Sequence, residues 1–165
     1  IMIPLVGSLG EFLHQKQLVA NIIHQYSAQK LNIKIGTMIE LPRACLIADK
    51  IAKHADFISF GTNDLTQTTF GFSRDDMGTF MPEYLNQKII KEDPFQVLDS
   101  DGVGELIHIA INKAKAANKN IKIGICGEHG GDPMSIKFLY NAGVHYVSCS
   151  PYRIPIAYLT LAQLA

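Results

Sequence analysis

The 165-residue sequence has no excess of charge of either sign, because fifteen lysines and arginines balance fifteen aspartates and glutamates. A neutral chain gives no electrostatic reason to expect nucleic acid or an anionic membrane as a partner. No apolar run approaches the roughly 18 residues of a membrane-spanning helix, and no stretch has the pattern of a signal peptide. We therefore expect neither a membrane segment nor a targeting segment in these residues.

Cysteine is scarce. Cys45, Cys126 and Cys149 are odd in number, far apart and without Cys-x-x-Cys spacing. Such a set predicts neither a disulfide framework nor a zinc site. Thiols that remain reduced fit a reducing compartment best, and we predict a cytoplasmic protein.

The composition supports one domain with an apolar core, since 47% of the residues are hydrophobic and 18% are charged. The sequence opens with Ile-Met-Ile-Pro-Leu-Val, which already has the character of a buried strand. We therefore expect a single partial domain over residues 1–165, cut from a longer polypeptide.

Apolar strands and amphipathic helices alternate along the chain. Strands are predicted over 1–6, 33–39, 57–61, 121–126 and 145–149. Helices are predicted over 8–29, 42–54, 103–117, 133–141 and 156–164. This order argues for right-handed βαβ units and a parallel sheet, although five strands alone do not distinguish an open sheet from a barrel.

Local signals support several helix boundaries. Ser8 begins a capping box for a helix that we expect to end at about Gln29. Pro42 suits the first turn of the second helix, where its missing N–H costs little. Asp132 is a plausible N-cap for the helix that begins at Pro133, and Gly143 is expected to end it.

Residues 70–102 break the alternation. They are rich in Gly, Pro, Asp and Ser and show no sustained periodicity. Long excursions of this kind in compact domains are usually functional or disordered. We predict a long loop or lid at the end of the sheet where the active site would lie.

Two carboxylates follow neighbouring predicted strands. Glu40 comes directly after strand 33–39, and Asp64 follows strand 57–61. The carboxyl ends of parallel strands lie at one edge of the sheet, where two such groups suit Mg²⁺, which takes one or two carboxylates plus water and phosphate oxygens. Taken singly, Asp64 could instead be a helix N-cap and Glu40 could pair with Arg43.

A third predicted strand ends in Cys126. Chemistry spread over several strand ends is typical of the (β/α)₈ barrel. Without other information, a cysteine in this position is more often a small buried hydrophobic residue than a catalytic one. The nearby His129 either orders the loop around Cys126 or is a solvated histidine.

Five motifs together resemble the C-terminal part of the pyruvate, phosphate dikinase family, and they occur in order over nearly the whole chain. They are GTMIELPRA (36–44), FGTNDLTQ (60–67), GFSRDD (71–76), CGEHGGDP (126–133) and VSCSP (147–151). The broader group of phosphoenolpyruvate (PEP)-utilising enzymes includes PEP synthase and the first enzyme of the sugar phosphotransferase system. The 71–76 and 126–133 motifs favour the dikinases.

The resemblance implies an α/β fold, namely the C-terminal part, about five βα units, of a PEP-utilising (β/α)₈ TIM barrel. In this family a phosphohistidine on a mobile domain exchanges its phosphoryl group with pyruvate, and an ATP-grasp domain charges that histidine. Both domains, the first barrel strands and their substrate-binding arginines would be absent here. The implied parent is an enzyme and a homodimer, whereas the isolated piece is expected to be inactive.

The resemblance also implies roles for single residues. Glu40 and Asp64 would bind Mg²⁺. Cys126 would protonate the enolate or deprotonate pyruvate. The substrate-binding set would be Glu40, Gly61, Thr62, Asn63 and Asp64.

Two other classes of protein remain open on the residues. One is an Mg²⁺-dependent aldolase or lyase that forms an enolate, which would share the carboxylates but would not need Cys126. The other is a non-catalytic module kept for association.

Overall fold

The computed structural model describes residues 1–26 and 31–164. Five parallel strands form one sheet in chain order, which confirms the predicted α/β class. The strands are β1 (Met2–Ile3), β2 (Gly36–Ile39), β3 (Phe57–Gly61), β4 (Lys122–Cys126) and β5 (Tyr146–Val147).

The helices of the described residues lie between and after these strands. They are α1 (Leu9–Gln25), α2 (Pro42–Leu46), α3 (Ala48–Ala52), α4 (Thr62–Phe70), α5 (Met77–Asn86), α6 (Val103–Ala117), α7 (Pro133–Ala142) and α8 (Ile154–Leu164). Two short 3₁₀ helices, Glu128–Gly131 and Pro151–Arg153, precede α7 and α8. No helix in the described ranges combines the length and hydropathy that a membrane crossing requires.

The first strand is shorter than predicted. It ends at Ile3 because Pro4 has no N–H to donate to a neighbouring strand and Leu5 adopts the left-handed region with φ 52°. The strand predicted over 145–149 is likewise reduced to β5.

The predicted helix caps are confirmed. The Ser8 hydroxyl accepts a hydrogen bond from the Glu11 amide at 3.2 Å. Asp132 likewise caps α7, and Gly143 ends that helix with φ 83°, a conformation that favours glycine. Helix α1 ends at Gln25, and the predicted end near Gln29 lies outside the described residues.

The helix predicted over 42–54 is divided in two. Ile47 has φ −112° and ψ 19°, outside the helical region, and it separates α2 from α3. Both short helices bury their apolar residues in the main core.

The prediction of an aperiodic loop or lid over 70–102 is wrong for its middle part, because α5 lies there. Gly78 and Pro82 within α5 obscure a helical pattern of apolar residues. That pattern builds a satellite cluster of Phe72, Met77, Phe80, Met81, Tyr84 and Phe95. The cluster gives the excursion an apolar core of its own.

The two faces of the sheet differ. Ile58, Phe60, Ile123 and Ile125 are fully buried in the main core, which the helices cover. Complete burial of each such side chain contributes about 1.5–3 kcal/mol, so this face dominates the stability of the sheet. Side chains alternate along a strand, so the candidate residues Glu40, just after β2, and Cys126, at the end of β4, share the opposite face.

Candidate active site

Glu40 lies immediately after β2 and is only 2% exposed. Its Oε1 accepts a hydrogen bond from the backbone N–H of Leu5 at 2.6 Å. Burial raises the pKa of Glu40, and the charge of Asp64 and a hydrogen bond with its side chain raise it further, against the lowering effect of the Leu5 amide. The two carboxyl groups are therefore neighbours, as the sequence predicts.

The two alternative interpretations of these carboxylates, Asp64 as a helix N-cap and Glu40 as the partner of Arg43, are wrong. Helix α4 starts at Thr62 directly after β3, so Asp64 lies within its first turn and the N-cap position belongs to Gly61. Arg43 donates a hydrogen bond to the carbonyl of Gly7. The ion pair formed within the described residues joins Lys113 to Asp49, and Glu40 takes no part in one.

The carboxylate pair is a suitable but incomplete cation site. Among the described residues, no group of three or more His, Cys, Asp and Glu side chains could hold a metal ion. Mg²⁺ needs only one or two carboxylates when water and substrate oxygens complete its octahedron, so Glu40 and Asp64 fit it. A cation would also replace the proton that two adjacent carboxyl groups otherwise share.

Cys126 ends β4 and is paired in register with Gly61 at the end of β3. Its Sγ lies 3.7 Å from the Ser59 hydroxyl, which donates to it, and 3.6 Å from the Phe60 carbonyl, which accepts from it. Burial raises the pKa of the thiol, the Ser59 hydrogen bond lowers it, and the charges of Glu40 and Asp64 raise it. Cys126 is half-buried and lies close enough to Glu40 and Asp64 for their charges to act on its thiol.

Two polar residues beside Cys126, Ser59 and Tyr146, were not predicted from the sequence. Ser59 is buried on the sheet face that carries Cys126. The Tyr146 ring covers Gly124 so closely that a Cβ at position 124 would overlap it. Burial raises the pKa of Tyr146, a Ser59 hydrogen bond lowers it, and Cys126 raises it. A polar residue at an inward position of an apolar strand, as in Phe57–Gly61, was the available signal for Ser59.

The loop after β4 is attached to the start of α4. The Thr62 hydroxyl lies 3.3 Å from the Cys126 carbonyl oxygen, and Asn63 Oδ1 accepts from the Glu128 amide at 3.2 Å. Gly127 has φ 118° and lies against both side chains, so a Cβ there would come within 2.6 Å of Thr62 Oγ1. These contacts hold the thiol and the Asp64 helix in one arrangement.

His129 is fully buried, so the interpretation of it as a solvated histidine is wrong. Its Nδ1 lies 2.8 Å from the Thr62 hydroxyl and its Nε2 lies 2.9 Å from the Pro94 carbonyl oxygen. The structure thus supports the other reading, in which His129 orders the neighbourhood of Cys126.

The predicted substrate-binding residues Gly61, Thr62 and Asn63 lie at the junction of β3 and α4, with Gly61 ending the strand and Thr62 and Asn63 beginning the helix. The side chains of Thr62 and Asn63 are already engaged with the loop after β4. Their backbone N–H groups belong to the first turn of α4, where amides lack partners within the helix and suit an anion. A substrate at this junction would therefore bind mainly to backbone N–H groups rather than to the Thr62 and Asn63 side chains.

A cavity of about 270 Å³ opens beside Cys126, lined also by Gly127, Glu128, Ser148, Cys149, Ser150 and Arg153. A larger cavity of about 470 Å³ lies along residues 89–101 and shares no lining residue with the first. Proton transfer requires contact with the thiol, so the smaller cavity is the relevant one for Cys126.

The arrangement of these strand ends and the comparison of the whole sequence with protein families agree on one class of protein, a phosphoenolpyruvate-binding domain. The chain belongs to the family described as PEP-utilising enzyme, PEP-binding domain, which it matches over residues 1–165.

Similar curated proteins are pyruvate, phosphate dikinases of plants. The chain is 56% identical to "Pyruvate, phosphate dikinase 1, chloroplastic" of Arabidopsis thaliana over 99% of its own length and 17% of that protein. It is 56% identical to "Pyruvate, phosphate dikinase 2" of Zea mays, over 99% of the chain and 19% of the relative. The corresponding rice protein is 54% identical, over 99% and 18%. The chain thus spans less than a fifth of the length of these relatives.

Proposed function

We propose that this chain is the PEP- and pyruvate-binding part of a pyruvate, phosphate dikinase, which converts ATP, pyruvate and phosphate to AMP, PEP and diphosphate. The observation that carries the proposal is the position of Cys126. It is paired in register with Gly61, and the charges of Glu40 and Asp64 raise the pKa of its thiol. A thiol beside a buried carboxylate pair suits proton transfer at the carbon next to a metal-bound carbonyl.

In the proposed reaction toward PEP, Cys126 as thiolate takes a proton from the pyruvate methyl group. The electron pair of the broken C–H bond forms the C=C bond of the enolate while the carbonyl π pair moves to the oxygen, and that oxygen attacks the phosphorus of a phosphohistidine, releasing the histidine. Mg²⁺ held by Glu40 and Asp64 would supply positive charge for the enolate oxygen and the carboxylate. In the reverse direction the Cys126 thiol returns the proton to the methylene carbon.

The remaining residues bind and orient the substrate. The backbone of Gly61, Thr62, Asn63 and Asp64, at the start of α4, would hold an anionic group of the substrate. Ser59 donates to the thiol sulfur and thereby fixes its direction.

The proposal includes partners outside this chain. The phosphohistidine domain, the ATP-grasp domain and the first strands of the barrel would belong to the longer protein, and the isolated chain would lack turnover. We propose a homodimer in a reducing compartment, consistent with three free cysteines. The scarce, unpaired cysteines predict the cytoplasm, whereas the relatives from Arabidopsis and rice are named chloroplastic.

The test is Cys126→Ala in the full-length enzyme. We expect hydrogen exchange at the pyruvate methyl group to be lost, while ATP-driven phosphorylation of the histidine survives. Cys45→Ala, at the buried thiol of α2, which does not line the cavity beside Cys126, is the control and should keep the exchange. Undiminished exchange in Cys126→Ala would reject the role, and it would favour an Mg²⁺-dependent aldolase or lyase, which does not need this thiol.

A further inference from the structure

His129 is the one fully buried histidine among the described residues, and the proposed reaction does not use it directly. It connects three separate segments: the 3₁₀ helix after β4, the start of α4 at Thr62, and the segment before α6 at Pro94. Both ring nitrogens have a polar partner, as buried polar groups generally do, so the ring fixes the relative position of the segments that it joins.

The partners fix the protonation of the ring. The Pro94 carbonyl can only accept a hydrogen bond, so Nε2 of His129 carries the proton. Burial lowers the pKa of His129, which favours the neutral ring with a single N–H. Nδ1 is then an acceptor, and the Thr62 hydroxyl donates a hydrogen bond to it.

The Pro94 end of this connection is itself held in place. Asp93 Oδ1 accepts from the Phe95 amide at 2.9 Å, and Phe95 lies in the satellite cluster. The Leu98 amide donates to the Ser135 hydroxyl at 2.9 Å, which ties the same segment to α7. His129 therefore orients Thr62 relative to a fixed acceptor.

The Thr62 side chain is in turn the surface on which the peptide after Cys126 rests. The Thr62 hydroxyl has one proton and two possible acceptors, Nδ1 of His129 at 2.8 Å and the Cys126 carbonyl oxygen at 3.3 Å. With the shorter hydrogen bond made to His129, Thr62 meets the Cys126 peptide by packing, and Gly127 lies too close to the Thr62 oxygen for any Cβ. A change in the Thr62 rotamer would move that peptide, and the thiol with it.

We propose that His129 is a positioning residue for Cys126. By accepting a hydrogen bond from the Thr62 hydroxyl and donating one to the Pro94 carbonyl, it keeps the Cys126 thiol in place relative to the carboxylate pair. This inference rests on the proposed function and adds a determinant of its proton-transfer step. Since displacement of a reacting group by about 1 Å can lower a rate about a hundredfold, small shifts of the Cys126 peptide matter.

Two substitutions separate the two hydrogen bonds of the ring. In His129→Asn the amide oxygen can replace Nδ1 and accept from Thr62, but nothing reaches Pro94. In His129→Gln the amide nitrogen can replace Nε2 and donate to Pro94, but no acceptor faces Thr62. Both lose the imidazole ring, so each is the matched control of the other for packing.

The readouts are pyruvate methyl exchange in the full-length enzyme and the rate at which iodoacetamide alkylates Cys126, followed by mass spectrometry. We expect His129→Gln to lower the kcat of exchange at least about tenfold more than His129→Asn does, with similar KM for pyruvate. Alkylation of Cys126 should change several-fold in His129→Gln and less in His129→Asn. ATP-driven phosphorylation of the histidine on the separate phosphohistidine domain should be equal in both variants.

Equal exchange and equal alkylation in the two variants would overturn the inference, because a purely structural role would affect them alike. If the His129 variants do not fold, Thr62→Val decides, since it keeps the side-chain volume and removes the hydroxyl. Exchange and alkylation unchanged in that variant would also overturn it. An unsubstituted enzyme without any exchange would reject the proposed function instead, and Cys126 alkylation would still decide the role of His129.

Discussion

Gly61 lies against Glu40 so closely that a Cβ atom on Gly61 would overlap Oε2 of the Glu40 carboxylate. The same Cβ would come within 2.8 Å of the terminal methyl carbon of Met38. Glycine at the end of β3 thus leaves the space that the buried carboxylate of the neighbouring strand occupies. The two strand ends are fitted to each other at this point.

Gly61→Ala should therefore displace the Glu40 carboxylate. We expect a destabilisation of about 1–3 kcal/mol from overpacking and a clear loss of Mg²⁺ affinity, measured by denaturant unfolding and titration calorimetry. Gly78→Ala is the matched control, because nothing lies within 4 Å of a Cβ there. Unchanged Mg²⁺ binding in Gly61→Ala would show that the carboxylate does not depend on this glycine.

The carboxylates themselves give the second prediction. Glu40→Gln and Asp64→Asn should each lower Mg²⁺-dependent turnover of the full-length enzyme by orders of magnitude, because a site with few ligands loses one. Asp99→Asn is the control, since that carboxylate lies elsewhere and accepts hydrogen bonds from backbone amides at the start of α6. Activity within a factor of two of the unsubstituted enzyme would contradict the assigned metal ligands.

The third prediction concerns stability and pH. The folded-state pKa of Glu40 is raised, so its protonated form stabilises the fold, and that contribution is lost as pH rises through the raised pKa. In the absence of Mg²⁺, the difference in free energy of unfolding between Glu40→Gln and the unsubstituted chain should grow between pH 4 and 7, in favour of Glu40→Gln. Urea unfolding across that range measures it, and a pH-independent difference would refute it.

The fourth prediction concerns thiol reactivity. The negative charges of Glu40 and Asp64 help to raise the pKa of Cys126, after the larger effect of burial. A cation bound to both carboxylates should offset that charge, so at fixed pH Mg²⁺ should speed alkylation of Cys126 by iodoacetamide. Glu40→Gln should weaken this response to Mg²⁺. Equal rates with and without Mg²⁺ would contradict the proximity of cation and thiol.

Local patterns were enough to predict most of the fold. Short apolar runs located the strands, and the caps at Ser8, Asp132 and Gly143 depend only on neighbouring residues. Helix α5 was missed because Gly78 and Pro82 disguise its period, and what stabilises it is a cluster that includes the distant Phe95. A cluster of that kind is a tertiary interaction that no local window contains.

In the candidate site, too, features that follow from local patterns could be predicted and long-range contacts could not. That Glu40, Asp64 and Cys126 lie near one another could be predicted, because strand ends of a parallel sheet share one edge. The contacts of Ser59 and His129 could not, since they join residues 67 and 35 positions apart in the chain. Long-range hydrogen bonds of this kind depend on strand register and loop path, which the sequence does not display.

The last prediction concerns the isolated 165-residue chain, in which two sheet edges lack a neighbour within the described residues. β1 pairs only with β2, and β5 pairs only with β4. Leu5 beyond β1 is 60% exposed, and Tyr158 and Leu159 of α8 are 72% and 63% exposed. Unpaired edges next to exposed apolar side chains recruit another chain, so we expect self-association.

Sedimentation equilibrium of this chain at micromolar concentration should show a dimer or larger species. Leu5→Lys combined with Leu159→Lys places charge at both regions and should shift the equilibrium toward monomer. Met134→Lys is the matched control, because Met134 is a similarly exposed apolar residue at the start of α7 rather than beside either edge strand. A folded monomer of the unsubstituted chain would refute the prediction, and an equal shift in the control would show that the edges are not what drives association.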